Sequence, residues 1–182
     1  MSSYGYYLSK PSHDLPSWLN GRALALFVKL YIIIMEEILS TKAKGNLTEL
    51  QCITAFYELG YQVSIPYGEN SRYDFIADIK GKLIRVQVKT SSLRKDTEGA
   101  IKFATRSTRI NATQNISHSY TDNEIDYFAT YWEGQCYLVP ISETASTEKT
   151  LRFLPPKSGQ VKGIKFATEY ELAKQIQKII EE

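Results

Sequence analysis

The chain has 182 residues, enough for one domain with a real core and too few for two. Hydrophobic residues make up 43% and charged residues 23%, which excludes a disordered chain, while a formal net charge of +2 is too small to announce a nucleic-acid partner by itself. Two cysteines, Cys52 and Cys136, supply no disulfide framework and read as small core residues in a reducing compartment; two histidines, His13 and His118, argue against a histidine-built metal centre.

Residues 1–21 are rich in Ser, Tyr and Pro, with Pro11 and Pro16 as breakers, and read as a loosely ordered arm. An apolar run from Ala23 to Met35 follows, interrupted by Lys29. It is shorter than the roughly 20 residues of a bilayer span. No small-residue cleavage site comes after it, which weighs against a signal peptide. A buried or dimer-forming helix fits the run. So does an upstream-start extension, in which case the natural chain begins at Met35. The expectation is an intracellular, cytoplasmic protein, with a structural or membrane-associated role for this run as an alternative.

Asn46 to Leu59 reads as a helix stopped by Gly60. Glu49 has two readings. Asn46-Leu47-Thr48-Glu49 resembles a capping box at a helix start. Glu49 also shares a face with Cys52, Ile53 and Phe56, and an acid on an apolar face is costly unless paired or metal-bound. Tyr61 to Ile65 alternates as a half-exposed strand closed by Pro66.

Ser71 to Ser92 is the most informative stretch: two strands joined at Lys80-Gly81. Strand residues two apart share a face, so Ile84, Val86 and Val88 point one way and Arg85, Gln87 and Lys89 the other. Arg72, Asp74, Ile76 and Asp78 share one face of the first strand. This pattern allows Asp74, Gln87 and Lys89 to converge on one side of a hairpin. The competing reading is a solvated hairpin with surface ion pairs of little energetic worth.

Apolar periodicity fails from Leu93 to Asn123, where Arg94, Lys102, Arg106 and Arg109 mix with Asn111, Thr113, Gln114 and Asn115. Arg, Asn and Gln bond bidentately to base edges, and Lys and Arg contact phosphates, so this stretch is the candidate DNA-reading insertion. An ordinary solvated loop is the alternative. Ile125 to Trp132 and Gln135 to Ile141 read as a buried hairpin turning at Glu133-Gly134. Leu151 to Leu154 reads as a short strand. Lys157, Lys162 and Lys165 make the following loop basic, with Lys157 a candidate phosphate contact. Thr168 to Ile180 reads as an amphipathic helix with a Thr168/Glu171 capping box and a stripe of Leu172, Ile176, Ile179 and Ile180, either core or a subunit interface.

Glu49, Asp74 and Gln87-Val88-Lys89 resemble the signature of the PD-(D/E)XK nuclease superfamily: an acid at a strand end, acid-x-Lys on the next strand, and a Glu on the preceding helix. Tyr73 stands where that signature has Pro, and Gln87 replaces its second acid. The replacement is similar to the group I intron homing endonucleases of the superfamily, as is the ordered series Gln87–Thr90, Glu124–Phe128, Tyr137–Ile141, Leu151-Arg152 and Pro155–Gln160. The resemblance runs from about residue 42 to the C-terminus. It implies an N-terminal extension over 1–41 and a nuclease domain over 42–182. The implied fold is α/β, a restriction-endonuclease-like core with a central mixed β-sheet flanked by helices.

By the same resemblance, Glu49, Asp74, Gln87 and Lys89 are catalytic, with Asp74, Gln87 and Glu49 holding Mg²⁺ through oxygen ligands. The implied activity is site-specific cutting of double-stranded DNA to 5′-phosphate and 3′-hydroxyl ends by a homodimer or homotetramer, with no organic cofactor. A junction-resolving or restriction-type nuclease on the same fold is the nearest alternative. A non-catalytic DNA-binding module with a decayed site is the alternative from another class.

Overall fold

The helix α1 (Thr41–Glu58) buries Thr48, Cys52, Ile53 and Phe56, a stripe at helical spacing. In this computed structural model, residues 39–68, 70–110, 114–155 and 163–182 are described. The expectations for residues 1–38 lie outside them, as do Asn111 and Lys157. α1 starts well before Asn46, so the capping-box reading of Glu49 is overturned. Lys42, Ala43 and Lys44 are good helix formers, and the Thr48 hydroxyl donates to the Lys44 carbonyl one turn back (2.8 Å). Glu49 is therefore a mid-helix residue. The helix ends as expected, where Gly60 takes φ +83.

A short strand, β1 (Gln62–Ser64), leads to the hairpin of β2 (Phe75–Ile79) and β3 (Lys82–Val88), in register from Phe75 opposite Val86 to Ile79 opposite Lys82. Lys80 and Gly81 both hold positive φ (54 and 92), the backbone hand that suits a two-residue turn between twisted strands. The Gly81 N–H donates to the Asp78 carboxylate (2.6 Å). The same device, with Glu133 at φ 46 and Gly134 at φ 86, joins β8 (Tyr127–Trp132) to β9 (Gln135–Pro140). These strands form one sheet in the order β1-β2-β3-β8-β9. β3 and β8 run parallel while every other pair is antiparallel.

A parallel pair needs a long crossover. The chain between β3 and β8 uses it to build β4 (Ser92–Leu93), β5 (Ala100–Ala104) and the ribbon of β6 (Arg106–Ile110) and β7 (Asn115–Ser119). The later strand β10 (Glu148–Arg152) joins β5, giving a small sheet in the order β10-β5-β4. The solvated-loop reading of this stretch is overturned. β5 escaped notice because only Ala100, Ile101 and Phe103 turn inward. The ribbon escaped because its backbone groups satisfy one another without an apolar stripe.

The central sheet has a core on each face. On one, Phe75, Ala77, Ile79, Ile84, Val86 and Leu138 pack with Cys52, Ile53 and Phe56 of α1 and with the C-terminal helix α2 (Leu172–Glu181). On the other, Phe128 and Val139 pack with Ile101, Phe103 and Leu151 of the small sheet. The expected stripe on α2 is core: Leu172, Ile176 and Ile179 are all buried. Its start is corrected. A 3-10 turn at Ala167–Glu169 comes first, and Glu169, not Glu171, reaches back to accept the Phe166 N–H (3.1 Å). Among the described residues no helix is long and apolar enough to cross a membrane.

Phe56 is fully buried and meets Phe75 edge to face at 5.3 Å. Phe56→Ala is expected to cost about 3–5 kcal/mol, read as a fall in the urea midpoint with an unchanged m-value.

Candidate active site

Asp74 directly precedes β2, and its N–H donates to the Val86 carbonyl (2.9 Å), so it continues the β2–β3 ladder opposite Gln87. Lys89 directly follows β3, and its N–H donates to the Ala129 carbonyl (2.9 Å), extending the parallel ladder with β8. Asp74, Gln87 and Lys89 therefore share one face, as the alternation requires. The Asp74 Oδ2 accepts from the Gln87 amide nitrogen (2.5 Å) and from the Val88 N–H (2.6 Å). Gln87, buried, also donates to the Val88 carbonyl (3.2 Å). Contact between Gln87 and Asp74 is thus made by the nitrogen end of the amide.

Glu49 approaches the site from α1. The Thr48 hydroxyl lies 3.2 Å from that of Thr90, which ties the helix to the residue after Lys89. Burial raises the Asp74 carboxyl above its ordinary range, against the pull of the Val88 N–H, the Lys89 charge and the Gln87 amide. Glu49 is raised too, by burial first and by the Asp74 charge second. The two carboxylates therefore feel each other, and the protein neutralises them incompletely.

Such a donor set fits a hard cation. It offers two carboxylates and an amide, all oxygen-bearing, with negative charge left over. Among the described residues no three His, Cys, Asp or Glu side chains gather as a metal cluster, because the third position is the neutral Gln87.

The Lys89 ammonium donates to the Tyr120 hydroxyl (2.9 Å). The Arg72 guanidinium lies over the same ring, 4.1 Å from its centroid. Arg72 also donates to Glu124 (2.8 Å), Ser107 Oγ (2.8 Å) and the Ser119 carbonyl (3.1 Å), which fastens both strands of the ribbon to the loop that carries Asp74. Arg85 pairs in two-pronged fashion with Asp126 (2.7 and 3.0 Å) and also donates to the carbonyls of Asp122 and Asn123, pinning the entry to β8. Sequence reasoning missed Tyr120 and the roles of Arg72 and Arg85. Arg72 stood two residues before Asp74 on its face, which was the available signal.

The residues expected to contact DNA divide. Arg94 is paired with Asp96 (2.8 Å) and Glu148 (3.1 Å), and Lys102 with Glu148 (3.3 Å). Arg106 is exposed on β6, Arg109 lies on β6, and Gln114 is exposed just before β7.

Both raised carboxyls imply a stability that depends on pH. A carboxyl whose folded pKa is raised stabilises the fold fully below its unfolded value, about 3.9–4.3, and loses that contribution as pH rises through the raised value. In the metal-free protein, Glu49→Gln should therefore raise the thermal midpoint near neutral pH and change it less in acid. Calorimetry across that range checks this.

The profile of the PD-(D/E)XK endonuclease family matches residues 39–173. No curated protein matches the chain. Among solved structures, the chain is similar to a bacterial homing endonuclease, I-Ssp6803I, with a TM-score of 0.64 and 26% identity over 79% of this chain and 98% of that one. The mixed sheet with its two helices is the restriction-endonuclease-like fold expected from the sequence. With a profile match running from before α1 into α2, the chain belongs to the PD-(D/E)XK endonuclease family and is a nuclease.

Proposed function

We propose that the chain is a Mg²⁺-dependent endonuclease that cuts double-stranded DNA at a specific site, as a homing endonuclease does, with residues 42–182 as its catalytic domain. The observation that carries this reading is the Asp74–Gln87–Lys89 face, with Asp74 hydrogen-bonded to Gln87 at 2.5 Å and the charge of Glu49 alongside. The solved neighbour, described as a homing endonuclease, supports the same substrate.

Asp74, Glu49 and the carbonyl of Gln87 would hold Mg²⁺, which when bound supplies a Lewis acid for the phosphate and lowers the pKa of water. Asp74 is held for this by the Val88 N–H. Glu49 takes up a water or adds charge at the flank. Lys89 donates to the attacking water or to the charge that grows on the phosphate in the transition state. Arg106, Arg109 and Gln114 on the ribbon, together with Asn111 and Lys157, would contact bases and phosphates. A two-stranded ribbon fits the major groove. Arg94 and Lys102 serve DNA only by exchanging their carboxylate partners for phosphates. One site cuts one strand, so a double-strand break calls for a two-fold homodimer or a homotetramer. A monomer by light scattering, with and without DNA, would refute that assembly.

Cleavage of a randomised DNA library with Mg²⁺ tests the activity. Lys89→Ala should lower the cutting rate about a hundredfold or more while leaving DNA binding intact. Equal cutting by the variant, or no cutting by either, contradicts the proposal. Gln87→Glu should tighten Mg²⁺ binding by adding a charged ligand. It should also destabilise the metal-free protein, because it sets two carboxylates together and removes an amide donor. Calorimetric titration showing unchanged or weaker Mg²⁺ binding would count against Gln87 as a ligand.

A further inference from the structure

Lys89 has a long, flexible side chain, and an ammonium that must meet one phosphate has to be held before the substrate arrives. Tyr120 does this in two ways. Its hydroxyl accepts from the Lys89 amine at 2.9 Å, and its ring centroid lies 4.9 Å from that amine. The ring is itself fixed. Phe128 meets it edge to face at 5.3 Å and 89°, and Phe128 is fully buried directly opposite Gln87 in the β3–β8 ladder. The Arg72 guanidinium also lies over the ring, 4.1 Å from its centroid.

Tyr120 is also the first residue after β7. Any movement of the ribbon is carried directly into its backbone. Arg72, which clamps Ser107 on β6 and Ser119 on β7, stands two residues before Asp74. The ribbon thus reaches the loop before Asp74 through Arg72 and Lys89 through Tyr120.

We propose that Tyr120 is the positioning residue for Lys89, and that through it the seating of the β6–β7 ribbon sets where the catalytic amine points. The inference rests on the nuclease reading above and adds how the DNA-contacting element is tied to the reacting groups.

The test is Tyr120→Phe, which keeps the ring and its contacts with Arg72 and Phe128 and removes only the hydroxyl. Single-turnover cutting at saturating Mg²⁺ should slow by about ten- to a hundredfold, the worth of one hydrogen bond to a charged group. DNA affinity and thermal midpoint should match the parent protein. In the metal-free, DNA-free protein, acylation of the Lys89 amine by acetic anhydride should be severalfold faster in the variant. A full or raised cutting rate, unchanged Lys89 reactivity, or a slower rate accompanied by an equal loss of DNA affinity or thermal midpoint overturns the proposal. Lys89→Ala, run alongside, separates the levels. Lost cutting there with full cutting in Tyr120→Phe overturns this inference alone, whereas undiminished cutting in Lys89→Ala overturns the nuclease reading beneath it.

Discussion

Two carboxylate-to-donor bonds, from Gln87 and from the Val88 N–H to Asp74 Oδ2, fix the site. Both follow from one register, that of β2 on β3, and that register is set by a two-residue turn at Lys80-Gly81. A slip of β3 by one residue would turn Gln87 to the opposite face and carry Ile84, Val86 and Val88 out of their core. The buried face of the hairpin therefore enforces the geometry of the polar one. The cores on both faces of the sheet make such a slip expensive.

The charge balance of the site explains why an amide is tolerable at position 87. Asp74 and Glu49 are already raised by burial, and Glu49 further by the Asp74 charge. A third carboxylate would add repulsion to the metal-free protein, whereas Gln87 donates a hydrogen bond and quiets Asp74. The exchange has a cost in the metal-bound state, where a neutral oxygen holds a cation less strongly than a charged one. On the proposed metal-binding reading, Gln87 would favour a stable metal-free protein over the tightest hold on a cation.

Much of this was legible in the sequence. The period-two alternation from Arg72 to Lys89 gave the faces correctly, because it rests on strand geometry alone. The Lys80-Gly81 and Glu133-Gly134 turns were readable because few sequences tolerate two positive φ values in a row. What failed was of another kind. The start of α1 was misplaced because Asn46 and Glu49 imitate a capping box, and only the structure shows that the helix already runs from Thr41, with the Thr48 hydroxyl bonded back to Lys44. The stretch from Leu93 to Asn123 looked like a loop because a ribbon made mostly of Arg, Ser, Thr, His and Asn, with only Ile110 and Ile116 apolar, has no apolar period to detect. Tyr120, the neighbour of Lys89, could not be found by spacing at all, since the two lie on different elements and meet only through the crossover.

The β2–β3 hairpin brings Asp74, Gln87 and Lys89 onto one face, while the β6–β7 ribbon carries the residues proposed to contact DNA. Arg72 ties both strands of that ribbon to the loop before Asp74. All of this depends on a divalent cation sitting at Asp74. Anomalous diffraction from crystals soaked in Mn²⁺ tests that most directly. The account predicts a peak within about 2.0–2.6 Å of the Asp74 carboxylate, on the side facing Glu49. Absence of a peak there, with Asp74 still bonded only to Gln87 and Val88 while Mn²⁺ binds elsewhere, would contradict it.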